Sequence, residues 1–286
     1  MRPNDNGSPA LKNYDTEELA DTYFFRPLGR VIARAAAACH RTPNELTLLA
    51  GALGISAGLL LADQNLGLVA FGLLILHSVI DSADGQLARM TGHVSEAGFF
   101  FDGLADYCTD IAICVGIAAG VLHRGGVNSI IVWALLAILC IALQGMLYVY
   151  SRLAYASVVE KGVASENESP TVRAGLIGLL RVGYEMLRRW LMSGQRKIMR
   201  RLASRATGRN LRSDDRLRYA QCFYWPKRGW NLLGANTRFY AIGLLAFMHR
   251  LDLYFFFILV PMNVAALALW FWQRRADHRL LASFSS

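Results

Sequence analysis

From residue 128 to residue 151 the chain reads NSIIVWALLAILCIALQGMLYVYS, 24 residues without a charge, closed by Arg152. About 20 apolar residues in a helix cross the hydrocarbon core of a bilayer, so this run fits lipid better than the interior of a soluble domain. Comparable runs occupy 45–62, 66–85, 97–122, 237–250 and 252–273, the fifth of the six in chain order being short. The expected fold is an all-α integral membrane protein with about six transmembrane helices. A net charge of +9 accompanies 54% hydrophobic residues and a mean hydropathy of +0.30. A soluble nucleic-acid binder of that charge would rarely be so apolar, so no nucleic acid partner is expected.

The positions of the positive charges set an orientation, because cytoplasmic connections carry the excess of Arg and Lys. Arg26, Arg30, Arg34 and Arg41 precede the first run, and the turn DQN that follows it has no basic residue. The 152–236 connection is dense in Arg and Lys, and the last run is followed by QRRADHR. Both termini are therefore expected in the cytoplasm. The domain reading is a cytoplasmic segment 1–42 with an amphipathic surface helix, a membrane domain 43–273 carrying a basic insertion at about 152–236, and a tail 274–286. Residues 1–24 are polar and acidic, unlike a cleavable signal peptide. Five cysteines without C-x-x-C spacing read as reduced packing residues.

The second and third runs meet at DSADGQLARMTGHVSEAGFFFDGLADYCTD, residues 81–110. With the orientation above, this junction sits near the cytoplasmic face. At about 100° per residue, Asp81, Asp84, Gly85, Ala88 and Arg89 share an arc of roughly 140° on one helix. Gly98, Asp102 and Asp106 recur every four residues and form one stripe on the next. Four facing carboxylates near lipid repel one another and lose hydration, so they need a cation. An all-oxygen ligand set suits Mg²⁺ or Mn²⁺, which also bind substrate phosphates. Gly85 and Ala88 leave room for a flat group to approach the backbone, and the Arg89 fork matches phosphate oxygens.

The pattern Asp81-x-x-Asp84-Gly85-x-x-Ala88-Arg89, eight residues, then Gly98-x-x-x-Asp102-x-x-x-Asp106 resembles the signature of the CDP-alcohol phosphotransferase family. The resemblance implies a six-helix membrane enzyme, often homodimeric, that moves a phosphate-linked group from a CDP-activated donor to a hydroxyl acceptor and releases CMP. It implies that Asp81, Asp84, Asp102 and Asp106 hold a pair of metal ions and that Asp106 is also the general base. It further implies that Gly85, Ala88, Arg89 and Gly98 line the nucleotide. The expected donor is CDP-diacylglycerol; the alternative within the family is a CDP-choline or CDP-ethanolamine donor with a lipid hydroxyl acceptor.

A carboxylate-lined ion transporter would need polar residues across the bilayer, and the fourth and sixth runs offer little beyond Gln144 and Asn263. The acceptor is expected to be a phosphorylated polyol, inositol phosphate or glycerol 3-phosphate, held by Arg152 and Arg238 at the cytoplasmic level of the aspartates. Family members with such acceptors often have a basic residue after the last aspartate, where this chain has Tyr107. Three further segments carry expectations. Thr42 to Thr47, TPNELT, reads as a capped helix start. His77, about 40° from Asp81 around the helix, reads as a packed histidine. Residues 175–205 read as an interfacial helix drawn to anionic lipid.

Overall fold

The computed structural model describes residues 18, 20–92, 96–164, 176–206 and 210–284. The polar start at 1–17 and the stretch 165–175 of the insertion lie outside the described residues. Eleven α-helices follow in order among the described residues: α1 Arg26–Ala38, α2 Pro43–Leu60, α3 Gly67–Thr91, α4 Glu96–His123, α5 Ile130–Tyr155, α6 Leu176–Leu191, α7 Ser193–Arg205, α8 Ser213–Trp230, α9 Ala235–Phe247, α10 Tyr254–Phe257 and α11 Asn263–Ser283. Four helical stretches, Gln64–Thr91, Phe101–His123, Ile130–Glu160 and Leu251–Ser283, are long and apolar enough to cross a membrane. The chain is an all-α, multi-pass membrane protein. The expected first and fifth spans correspond to the 18 residues of α2 and the 13 residues of α9. At 1.5 Å per residue α9 covers about 20 Å, short of a full hydrocarbon core.

By its internal contacts the chain forms two units, one made of Glu18–Gln144 and Leu233–Val264, the other of Gly145–Leu232 and the residues from Ala265 on. The first unit holds α1 to α4 and α9, and its helix ends follow local chemistry. Thr42 caps α2: its Oγ1 accepts from the Glu45 amide, the Glu45 carboxylate accepts from the Thr42 amide, and Pro43 occupies the first turn, where its missing N–H costs nothing. Helix α3 stops at Gly92, whose φ of 72° is left-handed and suits a residue without Cβ.

Helix α2 lies against α4 through small residues. Gly51, Gly54 and Gly58 face Ala105, Thr109 and Ala112, and a Cβ on Gly58 would run into the α4 backbone at Ala112 and Ile113. Gly116 answers from α4, where a Cβ would strike the Gly58 carbonyl. Inside a membrane such close backbone approach supplies the dispersion contacts that the hydrophobic effect does not. The stripe Asp102, Asp106, Asp110 is turned about 100° from this seam and borders α3. Helix α1 closes the other side of α3: Gly29 packs on Ser82 and Ala83, Ala33 and Ala36 join Ile80, Ala83 and Leu87 in one core, and Gln86 donates to the Arg26 carbonyl.

The two isolated polar residues of the membrane helices pair with each other. Gln144 donates to Asn263 Oδ1 at 2.9 Å, and Asn263 donates to the Leu259 carbonyl at 3.0 Å.

In the second unit, the C-terminal ends of α5 and α11 pack with α7 and α8. Tyr155, Val158, Ile198, Leu202, Phe223 and Leu280 share its core. A buried chain of hydrogen bonds runs from Tyr219 to Gln195 (2.8 Å), from Gln195 to Asp277 (2.7 Å), from Gln273 to Asp277 (3.2 Å) and from Trp230 to Gln273 (3.1 Å). Burial pushes the Tyr219 hydroxyl well above its ordinary range, which keeps it a donor. This differs from the expectation for 175–205. The apolar face of α7, Ile198, Met199 and Leu202, is covered by protein, because the helical ends of α5 and α11 supply an apolar surface that periodicity within the segment does not reveal. In α6, by contrast, Met186 and Trp190 are both 65% exposed.

Replacing Gly58 with Val should force α2 away from α4 and cost about 1–3 kcal/mol or more. Thermal unfolding of the detergent-solubilised protein checks this, with Gly72→Ala as the near-neutral control, since a Cβ at that position meets nothing within 4 Å.

Candidate metal and transfer site

Helix α3 presents Asp81 and Asp84 one turn apart, and α4 presents Asp102 toward them. One oxygen from each of the three carboxylates lies within 4.8 Å of the others. Asp84 is buried at 6% exposure, and Asp81 and Asp102 are partly exposed. Among the described residues no lysine or arginine forms a salt bridge to any of the three. A direct neutral partner is Thr47, whose Oγ1 donates to Asp84 Oδ2 at 2.6 Å. That bond is made possible by the cap at Thr42, which starts α2 and brings Thr47 to the inner side of its second turn. Three converging carboxylates, all oxygen in donor type and with no salt bridge to neutralise them among the described residues, fit a hard divalent ion.

Asp106 stands outside this group of three. It lies one turn further along α4, its side chain is 52% exposed, and its Oδ1 is 3.7 Å from His77 Nε2. His77 is buried, with Nδ1 2.9 Å from the Ala50 carbonyl and its ring edge-on to Phe239 at 5.8 Å. It is packed as expected and it also borders the acidic face.

Gly85 keeps open space beside it: a Cβ there would meet only the Arg89 guanidinium, at 3.6 Å. Ala88 is partly exposed on the same face and Arg89 is exposed at its end. Gly98 lies one turn before Asp102 on α4 and is partly exposed.

The two arginines expected at an acceptor phosphate occupy different settings. Arg238, on α9, is 5% exposed; its Nη2 donates to both oxygens of Asp110, at 3.2 and 2.9 Å, and its Nη1 donates to the Leu233 carbonyl at 3.2 Å. Its Nε is buried without a hydrogen-bond partner. Arg152 is exposed near the end of α5 and belongs to the other unit.

Three residues at this site were not singled out by the motif. Asp110 extends the four-residue stripe of Asp102 and Asp106 by one more turn, a continuation visible in the spacing. Thr47 carried the signal of a helix start and no signal of its partner. The Asp110–Arg238 pair joins residues 128 positions apart, which no local pattern can announce.

A family model described as CDP-alcohol phosphatidyltransferase matches residues 40–195, more than half of the chain. The match includes all four aspartates and ends before Arg238. An archaetidylinositol phosphate synthase from Pyrococcus horikoshii is 37% identical over 103 residues, covering 36% of this chain and 54% of the relative. A phosphatidylinositol phosphate synthase from Cutibacterium acnes is 30% identical over 159 residues, covering 53% of this chain and 74% of the relative. The chain thus spans about half the length of the first relative and about three quarters of the second.

Two outcomes follow from this geometry. Asp81→Asn and Asp102→Asn should each weaken Mn²⁺ binding, read by electron paramagnetic resonance, by at least about tenfold, and Thr47→Val, which removes only a support of Asp84, by about 10- to 100-fold or less. Arg238→Ala leaves Asp110 buried and uncompensated, at about 3–5 kcal/mol of stability, whereas Asp110→Asn combined with Arg238→Gln should lose less than Arg238→Ala alone. Unfolding midpoints of the three proteins decide.

Proposed function

Because the chain belongs to the CDP-alcohol phosphatidyltransferase family, we propose that it transfers a phosphatidyl group from CDP-diacylglycerol to a hydroxyl of a phosphorylated polyol, with release of CMP. The observation that carries the reading is the division of the carboxylates. Asp81, Asp84 and Asp102 converge on one point, and Asp106 stands apart, half exposed, on the next turn of the same stripe. One cluster serves a cation and the pyrophosphate it neutralises. The separate carboxylate serves a proton and, beside the cluster, a second ion.

Asp81, Asp84 and Asp102 would hold Mg²⁺ or Mn²⁺, and with Asp106 a second ion. A metal held there would supply positive charge to the pyrophosphate and to the departing phosphate. Gly85 and Ala88 leave the α3 backbone accessible to the cytosine ring, Gly98 does the same on α4, and Arg89 is placed for the phosphates at the helix end. Asp106 accepts the proton of the acceptor hydroxyl. The freed oxygen attacks the phosphorus that bears diacylglycerol, a new P–O bond forms, and the bond from that phosphorus to the CMP oxygen breaks, its electron pair leaving with CMP.

Inositol phosphate is the favoured acceptor, supported by the similarity to an archaetidylinositol phosphate synthase and a phosphatidylinositol phosphate synthase; glycerol 3-phosphate is next. Arg152 and Arg238 are the arginines proposed for its phosphate, and Arg238 can contribute only through what its bonds to Asp110 and Leu233 leave. The arginine distribution supports six spans with both termini and the transfer site on the cytoplasmic side, and the family supports a homodimer.

Purified protein given CDP-diacylglycerol and Mn²⁺ or Mg²⁺ should release CMP and form lipid product with inositol phosphate or glycerol 3-phosphate, and Asp106→Asn should lower turnover at least ~10²-fold. Product with serine or free inositol alone, or turnover that survives removal of divalent metal, would overturn the proposal.

A further inference from the structure

His77 carries an unfilled hydrogen-bonding position directed at the base. A backbone carbonyl can only accept, so the 2.9 Å contact with Ala50 assigns the ring proton to Nδ1. Phe239, edge-on at 5.8 Å and 72°, fixes the ring from the other side. In the neutral imidazole Nε2 is then a lone pair. It faces Asp106 Oδ1 at 3.7 Å, beyond hydrogen-bond length, and no described residue donates to it.

Two acceptors this close to each other need donors between them. A reacting hydroxyl brings one proton and gives it to Asp106, so Nε2 must be satisfied by a second group. In a polyol that group is at hand. Hydroxyls on adjacent carbons lie close enough together for each to reach its own acceptor across the 3.7 Å gap, at about 2.8 Å. A buried acceptor left unpaired is costly, and this gives the site a means of rejecting an alcohol without the neighbouring hydroxyl.

We infer that His77 Nε2 binds the acceptor hydroxyl adjacent to the one that attacks, making His77 a determinant of specificity for vicinal polyols. This rests on the transfer reaction proposed above and adds to it a residue outside the aspartate motif.

The test compares acceptors that differ by one hydroxyl: inositol phosphate against its monodeoxy analogues, and glycerol 3-phosphate against hydroxypropyl phosphate, which lacks the middle hydroxyl. Wild-type kcat/KM should fall about 10- to 100-fold on the analogue lacking the neighbouring hydroxyl. In His77→Asn the amide can still reach the Ala50 carbonyl but is withdrawn from Asp106. That variant should lose about tenfold on the intact acceptor, chiefly in acceptor KM, and treat intact and deoxy acceptors alike. His77→Gln, with its amide near the place of Nε2, should recover part of the discrimination, which a purely structural role would not produce. Equal use of both acceptors by wild type, or undiminished discrimination by His77→Asn, would overturn the inference. If His77→Asn does not fold, the wild-type comparison and His77→Gln decide in the same way. Wild type that turns over no phosphorylated polyol removes the proposed reaction itself, whereas polyol turnover without discrimination removes only the role of His77.

Discussion

Mutual repulsion among carboxylates held in apolar helices is the constraint on which the rest of this structure depends. Asp81, Asp84 and Asp102 come within 4.8 Å of one another with no arginine or lysine bridged to them among the described residues. Such an arrangement opposes folding unless a cation completes it or the surrounding packing is strong enough to impose it. The packing is visible in the seam between α2 and α4, where Gly54, Gly58 and Gly116 permit backbone contact, and in the core that α1 forms on α3. Both sets of contacts hold helices in place around the acidic site, and neither places a positive charge inside it.

Farther along the same stripe the problem is solved differently at each turn. Asp106 is half exposed and faces a histidine across a gap, so it remains available to a proton. Asp110, one turn beyond, is buried and chelated by Arg238. Three successive positions at four-residue spacing on one helix thus meet an acidic cluster, an open carboxylate and a closed ion pair. The differences come from what α3 and α9 bring opposite each turn, namely Asp81, His77 and Arg238.

The second unit has a separate logic. Its core is closed by the ends of α5 and α11 together with α7 and α8, and a continuous chain of side-chain hydrogen bonds links Tyr219, Gln195, Asp277, Gln273 and Trp230 within it. The basic residues of α7 stand on the outside of that core. The segment therefore gains its order from long helices that project beyond their apolar lengths, and its charge stays at the surface.

The sequence by itself determined the helical class, the apolar runs and the acidic motif, because each of these is local. Hydrophobic run length sets what can cross a bilayer, and a period of about 3.6 residues sets which aspartates share a face. It also determined the α2 cap, since Thr42, Pro43 and Glu45 act on the turn that contains them. Only the tertiary structure decided the rest. That Thr47 supports Asp84, that His77 turns Nε2 toward Asp106, that Arg238 is engaged with Asp110 and that α7 buries its apolar face all depend on residues from different helices meeting at hydrogen-bond or van der Waals distance. Those meetings are set by how closely backbones approach and how helices are rotated about their axes. Neither quantity is written in the periodicity of a single segment.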